Sequence, residues 1–213
     1  MPPITLFHYW RSGASWRVRW GLELKGVAHE KVAVNILAGE EKLPGYLAKN
    51  PAGYVPALSV EGHPPLGESL AILEWLEENY PRPSFFSGDS FQRALIRQLA
   101  ETLNAGTQPI QNLDVARLHS EDKAEQARWM HHWMSRGLGV FESLLKRADP
   151  GHGKFAFGNE PSLADLCLIP QVYSAHRLNV DMDQFPRCRD IYAHALTQPS
   201  CQASHPDRFA PAT

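Results

Sequence analysis

The stretch FHYWRSGASWRVRWGLELKG, residues 7–26, decides how the first part of this chain folds. It opens on the end of a short apolar run that is typical of a strand. A small polar turn follows, Ser12-Gly13-Ala14-Ser15, with arginines on either side. Because hydroxyl groups and arginines at the start of a regular element favour an anion, we interpret this turn as an anion-binding turn.

The element after the turn has two interpretations. Large apolar residues from Ala14 to Leu24 alternate with arginines and small or acidic residues, a period that predicts a strand. Ser12 as a cap and Gly26 as a C-terminal stop, with a strand predicted on either side, favour a helix instead. The pattern alone does not separate the two.

The composition is that of an ordinary globular protein. Of 213 residues, 43% are hydrophobic and 21% are charged, and the formal net charge is −2. This charge gives no reason to expect nucleic acid or a membrane surface as a partner. No apolar run reaches the roughly 18 residues that a membrane span needs, and MPPITLF lacks the pattern of a signal peptide.

Cysteine and histidine spacing predicts no metal site. Cys167, Cys188 and Cys201 form no C-x-x-C pair, and their odd number and wide spacing indicate reduced thiols in the cytoplasm. The pair His131-His132 is expected on a solvated surface, because neighbours along a helix point in different directions.

The pattern changes near residue 80 from mixed to helical. ITLFHY and EKVAVNI read as strands, PALSV and HPPLGE as a short hairpin pair, and ESLAILEWLEENY as an amphipathic helix. PRPSFFSGDS, residues 81–90, is rich in proline, glycine and serine and is the best linker candidate. We therefore predict domains at residues 1–82 and 90–213.

The second half contains several helical stripes. One predicted core-facing stripe contains Phe91, Leu95, Leu99 and Leu103. A second long helix has the stripe Met130, Met134, Gly137, Leu138, Phe141 and Leu145. PSLADLCLIPQVYSAHRL opens a third helix, with Ser162 and Asp165 as a structural capping box, and QFPRCRDIYAHAL a fourth.

The order of these elements, with NPAGYVPAL and GESLAILEWLEE between them, resembles the glutathione transferase superfamily. RSGASWRVRWGLELKG, GTQPIQNLDV and ADLCLIPQVYSAHRLNVDM look like its zeta class, which includes maleylacetoacetate and maleylpyruvate isomerases. The resemblance implies an α/β thioredoxin-like N-terminal domain, an all-α C-terminal domain with an electrophile site, glutathione as cofactor and a homodimer. It also implies a helix for the alternating segment.

The chain departs from the zeta pattern at two places. Many zeta enzymes have cysteine where Ala14 stands and serine where Gly13 stands, so the reactive thiol must here come from glutathione. Glu41 stands where relatives usually place histidine or glutamine to meet the glycine carboxylate of glutathione. An acidic side chain is unhelpful there, so Glu41 is left out of the predicted site and Lys42 is an alternative.

The resemblance assigns the glutathione sulfur to the turn of residues 12–15, with Ser12 as first candidate and Ser15 as second. A free thiol has a pKa of about 8.5, and a hydroxyl donor at a helix N-terminus stabilises the thiolate. A plain N-cap is the structural alternative for Ser12.

Other glutathione contacts are also implied by the resemblance. Glu68 and Ser69 match the pair that holds the γ-glutamyl end, and Val55-Pro56 matches a cis-proline segment whose backbone pairs with the cysteinyl residue. Gln108, Gln111 and Asn112, around Pro109, match residues that reach the active-site cleft. Helix caps, an ordinary trans proline and solvated kink residues are the structural alternatives.

Arg11 and Arg177 match family arginines and suit a dicarboxylate substrate, because a guanidinium grips a carboxylate with two parallel bonds. For Arg17 and Arg19 we expect surface roles. The resemblance thus predicts a glutathione-dependent cis–trans isomerase of maleyl keto acids from aromatic degradation. Alternatives are a transferase that conjugates or dehalogenates electrophiles, and a scaffold without activity.

Overall fold

The computed structural model describes residues 3–148 and 153–211, which form two compact units. The first contains the chain up to Ser84 together with the segment from Gln198 onward, and the second spans Phe85–Thr197. The predicted domains assigned the whole segment after residue 90 to the helical half, whereas the structure groups its last part with the first unit. We call residues 198–211 the C-terminal segment.

The first unit is built on a three-stranded sheet. Its elements are β1 (Ile4–His8), α1 (Gly13–Leu24), β2 (Glu30–Ala33), α2 (Pro44–Leu47), β3 (Ala57–Val60), α3 (Ser69–Asn79) and α9 (Pro199–Ser204). The strand order is β2-β1-β3, with β2 parallel and β3 antiparallel to β1. The predicted hairpin partner of β3 is reduced to a single bridge between Leu58 and Leu66.

The alternating segment forms helix α1, so the strand interpretation is wrong and the helix implied by the resemblance is confirmed. Ser12 caps its first turn, and Gly26, at φ 62°, follows its end as predicted. Every residue from 15 to 22 is buried. Alternation fails as a strand signal here because the helix is surrounded on all sides and packs against both α3 and α9.

The second unit is helical. It consists of α4 (Ser90–Asn104), α5 (Leu113–His119), α6 (Lys123–Ala148), α7 (Leu163–Arg177) and α8 (Pro186–Ala195). Helix α7 packs against α4, α6 and α8, and all of its residues from 163 to 172 are buried. Together with the mixed sheet of the first unit, these helices confirm the predicted fold class.

Two local predictions for the second unit have different outcomes. The capping box of Ser162 and Asp165 is confirmed at the start of α7. The α4 stripe is wrong at its first position, because Phe91 is 71% exposed and the buried side chains begin only at Ile96. Phe91 lies in the first turn of α4, before the helix reaches the core. The pair His131-His132 is exposed, as predicted.

Within residues 3–148 and 153–211, no helix is both long enough and apolar enough to cross a bilayer.

Candidate functional site

The turn between β1 and α1 presents hydrogen-bond donors. Ser12 is half-buried, and its Oγ accepts the N–H of Ser15 at 3.1 Å, which leaves the hydroxyl proton available to donate. Among the described residues, no acceptor bonds the N–H groups of Gly13 and Ala14. These donors stand at the positive end of the α1 dipole, so the turn suits an anion such as a thiolate.

Ser15 differs from Ser12. It is fully buried, and its Oγ accepts the N–H of Tyr9 at 3.3 Å. The structure therefore gives Ser15 a structural role in the turn, and we do not retain it as a group that touches the sulfur.

The loop before β3 exposes an unpaired stretch of backbone. The Val55–Pro56 bond is cis, as the resemblance implied. The preceding carbonyl, of Tyr54, is held by the Tyr46 hydroxyl at 2.6 Å and by Asn50 Nδ2 at 2.8 Å. In the part of the chain that the structure describes, no hydrogen bond engages the N–H or the carbonyl of Val55. Both groups are thus available to an extended peptide backbone.

The start of α3 contains a serine in contact with a buried arginine. Ser69 is 4% exposed, and its Oγ accepts from Arg17 Nη1 at 3.2 Å. Glu68, just before it, is exposed at φ 57°, a backbone conformation that side-chain-bearing residues rarely adopt and that is typical of functional sites. A guanidinium, a hydroxyl and a helix N-terminus at one place suit a carboxylate.

The prediction of surface roles for Arg17 and Arg19 is wrong, because their exposed fractions are 2% and 0%. Both buried guanidinium groups donate hydrogen bonds to protein acceptors. Arg17 donates to Ser69, and Arg19 donates to three backbone carbonyls. A signal for this was present in the sequence: arginines inside a helix that is otherwise apolar on all faces must be buried and hydrogen-bonded.

A cavity of about 320 Å³ lies next to the turn in the first unit. It is lined by residues from the end of β1 and the stretch after it, from the end of β2 and the stretch after it, and from the C-terminal segment: His8, Tyr9, Trp10, Arg11, Ala33, Val34, Asn35, Leu37, Phe209 and Pro211. Arg11 is half-buried, with its guanidinium 4.9 Å from the ring centre of Trp10. The cavity thus combines apolar walls with a cation that suits a small organic anion.

The remaining predicted residues lie in the second unit. Gln108 and Asn112 are half-buried in the break between α4 and α5, and Asn112 caps α5. Gln111 is 8% exposed, and its side-chain amide exchanges two hydrogen bonds, at 3.0 and 2.8 Å, with that of Gln171. We therefore assign Gln111 a structural role. Arg177 is exposed in the last turn of α7.

None of the cysteines is suited to act as a nucleophile. Cys167, Cys188 and Cys201 are free and buried. Burial raises the pKa of Cys188 well above its usual value and that of Cys201 to about 12. Within the described residues, no group of three or more His, Cys, Asp or Glu side chains is arranged to hold a metal ion.

Comparison with known proteins identifies the family. The sequence-family model of the glutathione S-transferase N-terminal domain matches residues 6–84, and the family model of the C-terminal domain matches residues 126–194. The maleylacetoacetate isomerase of Pseudomonas aeruginosa is 39% identical over 210 residues, or 95% of this chain and 96% of that protein. The chain belongs to the glutathione transferase family.

Two solved structures of glutathione transferase homologues match almost the whole of this chain. A maleylacetoacetate isomerase from Anaeromyxobacter dehalogenans, with glutathione in its active site, is 40% identical at a TM-score of 0.88, covering 99% of this chain and 98% of that one. A bacterial maleylpyruvate isomerase of the zeta class is 36% identical at a TM-score of 0.92, covering 98% and 100%. The predicted zeta-class resemblance is confirmed.

Proposed function

We propose that this zeta-class glutathione transferase is a glutathione-dependent cis–trans isomerase of maleyl keto acids, either maleylacetoacetate or maleylpyruvate. The observation that carries the proposal is the β1–α1 turn, in which the Ser12 hydroxyl and the N–H groups of Gly13 and Ala14 directly follow Arg11, a residue that lines the cavity. The similarity to isomerases of both substrates supports the same reaction.

The residues of the first unit fit glutathione as a bound cofactor. The unpaired backbone of Val55 suits the extended cysteinyl residue, and Ser69 beside Arg17 suits the γ-glutamyl carboxylate. Glu68, next to Ser69, offers a carboxylate for the γ-glutamyl ammonium group. Gln108 and Asn112 are proposed as further contacts from the second unit, on the strength of the family resemblance.

When bound, glutathione supplies a thiolate that adds reversibly to the conjugated double bond, which makes rotation about that bond possible. The chain itself holds the negative charges. Ser12 and the N–H groups of Gly13 and Ala14 would donate to the sulfur, and Arg11 is proposed to bind a carboxylate of the substrate. A carboxylate contact at Arg177 is proposed from the family resemblance alone. No protein thiol takes part, since every cysteine is buried.

The proposed reaction is tested with four substrates side by side: maleylpyruvate, maleylacetoacetate, a chlorinated acid and a generic aryl halide. We expect glutathione-dependent isomerisation of a maleyl acid, with glutathione recovered in full and activity lost after its removal by dialysis. Turnover of the aryl halide alone would overturn the proposal in favour of a conjugating transferase. A melting temperature unchanged by millimolar glutathione would favour a scaffold.

Replacing Arg177 by alanine is expected to raise KM for a maleyl dianion about tenfold with little change in kcat, because a charge-assisted contact to a carboxylate contributes mainly to binding. Turnover of a neutral electrophile should be unaffected. Arg117→Ala is the matched control, since Arg117 is also exposed in the last turn of a helix of the same unit. An equal loss with neutral and dianionic substrates contradicts a carboxylate contact at Arg177.

The same proposal includes a cytoplasmic homodimer in aromatic degradation. The family resemblance supports the dimer and the pathway class, and the three free cysteines suit a reducing compartment. Sedimentation of the purified protein measures the oligomeric state directly.

A further inference from the structure

Arg19 is a fully buried arginine that joins two separate parts of the first unit. Its Nη2 donates to the carbonyl of Trp10 at 3.0 Å, and its Nη1 donates to the carbonyl of Tyr9 at 3.3 Å. Its Nε donates to the carbonyl of Ser204 at 3.0 Å. One guanidinium thus holds backbone from the end of β1 and from the C-terminal segment at the same time.

The two carbonyls on the β1 side come directly before Arg11 and Ser12. The Tyr9 carbonyl also accepts the N–H of Ser12 at 3.1 Å, and the Tyr9 N–H donates to Ser15 Oγ at 3.3 Å. The peptide groups that lead into the turn are therefore held by hydrogen bonds to two partners, the Arg19 guanidinium and the first turn of α1. A planar fork of donors can do this, whereas a lysine ammonium cannot span the same acceptors.

The C-terminal segment completes the surroundings of this guanidinium. The ring of Phe209 lies 4.9 Å from the Arg19 guanidinium and meets the His8 ring edge-on at 5.5 Å. His8 Nδ1 is 3.1 Å from Arg19 Nη1. Burial and the charge of Arg19 lower the pKa of His8 to about 3, so His8 is neutral and its Nδ1 can accept the bond.

We propose that Arg19 is a positioning residue for the active-site turn, and that the C-terminal segment acts with it through Ser204 and Phe209. In this arrangement the packing of the C-terminal segment sets the geometry in which Arg11 and Ser12 are presented. The inference rests on the proposed function, because it concerns the same turn. It adds residues that hold that turn: Arg19 is fully buried and does not line the cavity, whereas Phe209 also lines it, so turn exchange and thiol pKa are measured beside kcat/KM.

The test compares Arg19→Lys and Phe209→Leu with the control Ser200→Ala. Trp20 Nε1 donates to Ser200 Oγ at 3.1 Å, so the control removes a bond between α1 and the C-terminal segment that does not involve the turn. The measurements are amide hydrogen exchange in residues 9–15 without glutathione, the pKa of bound glutathione from thiolate absorbance, and kcat/KM with a maleyl acid.

We expect Arg19→Lys to speed exchange in the turn, to raise the thiol pKa and to lower kcat/KM about tenfold, since small displacements of catalytic groups have effects of this order or larger. Phe209→Leu should change turn exchange, thiol pKa and kcat/KM in the same direction, with kcat/KM about threefold lower than in the wild type. Ser200→Ala should lower only the melting temperature.

A folded Arg19→Lys variant with wild-type turn exchange, thiol pKa and kcat/KM overturns the inference. Should that variant not fold, Phe209→Leu decides, because it leaves the hydrogen bonds of Arg19 in place, and unchanged values there overturn the inference equally. Absence of glutathione binding by the wild type is a different result. It overturns the proposed function, and the inference with it.

Discussion

Replacing Ser12 by alanine is expected to lower kcat about a hundredfold, the usual order for the loss of one donor to a catalytic anion. The variant loses the hydroxyl that we propose to donate to the glutathione sulfur. The pKa of bound glutathione should then rise toward the value of about 8.5 of a free thiol. Titration of thiolate absorbance in the complex measures this shift directly.

Ser12 is also the N-cap of α1, so the same variant should lose about 1 kcal/mol of unfolding free energy. Ser12→Thr keeps both the hydroxyl and the cap and is the matched control, for which we expect a thiol pKa near that of the wild type. A Ser12→Ala variant with wild-type kcat at neutral pH contradicts the assignment, and leaves the backbone N–H groups of Gly13 and Ala14 to hold the sulfur.

Replacing Asp165 by alanine is expected to lower the free energy of unfolding by about 4 kcal/mol, because it leaves buried hydrogen-bond donors without an acceptor. The Asp165 carboxylate is fully buried and accepts the N–H of Ser162 at 2.8 Å, its hydroxyl at 2.7 Å and the N–H of Ala156 at 2.8 Å. Asp89→Ala is the matched control. Asp89 accepts two N–H groups at the exposed start of α4, and its loss should cost about 1 kcal/mol. If chemical denaturation shows that the two variants lose equal free energy of unfolding, the role of burial at Asp165 is contradicted.

The Asp165 carboxyl also gives stability a pH dependence. Burial raises its pKa from 3.8 to about 6. The folded chain therefore holds this proton more tightly than the unfolded chain, so the associated stability is full below 3.8 and is lost as pH rises through about 6. Asp165→Asn cannot titrate, and the stability of the wild type relative to it should decline from about pH 4 to about pH 7. If the unfolding free energy of the wild type instead rises relative to that of Asp165→Asn over this pH range, the raised pKa is contradicted.

Features that depend on neighbouring residues could be predicted from the sequence. The cap at Ser12, the stop at Gly26 and the capping box of Ser162 and Asp165 all rest on hydrogen bonds or backbone conformations within a few residues. The strands and most helices follow for the same reason. For the helix at residues 13–24, periodicity was inconclusive and the family resemblance was needed.

Features that depend on distant partners could not be predicted in this way. The apolar surroundings of Arg17 and Arg19 in the sequence could indicate their burial but not their partners, which are Ser69 for Arg17 and, 185 residues along the chain, Ser204 for Arg19. The family resemblance implied Ser15 and Gln111 as ligand contacts. Their polar groups are instead bonded to Tyr9 and Gln171, which only the folded arrangement reveals.

The return of the C-terminal segment to the first unit has a consequence for biosynthesis. Domains generally fold in order as they leave the ribosome, yet here the first unit lacks a carbonyl and a ring around Arg19 until Ser204 and Phe209 have emerged. The helical unit, residues 85–197, has all of its own sequence earlier. A nascent chain stalled just after residue 197 would therefore hold the whole sequence of the second unit but a first unit that still lacks these contacts.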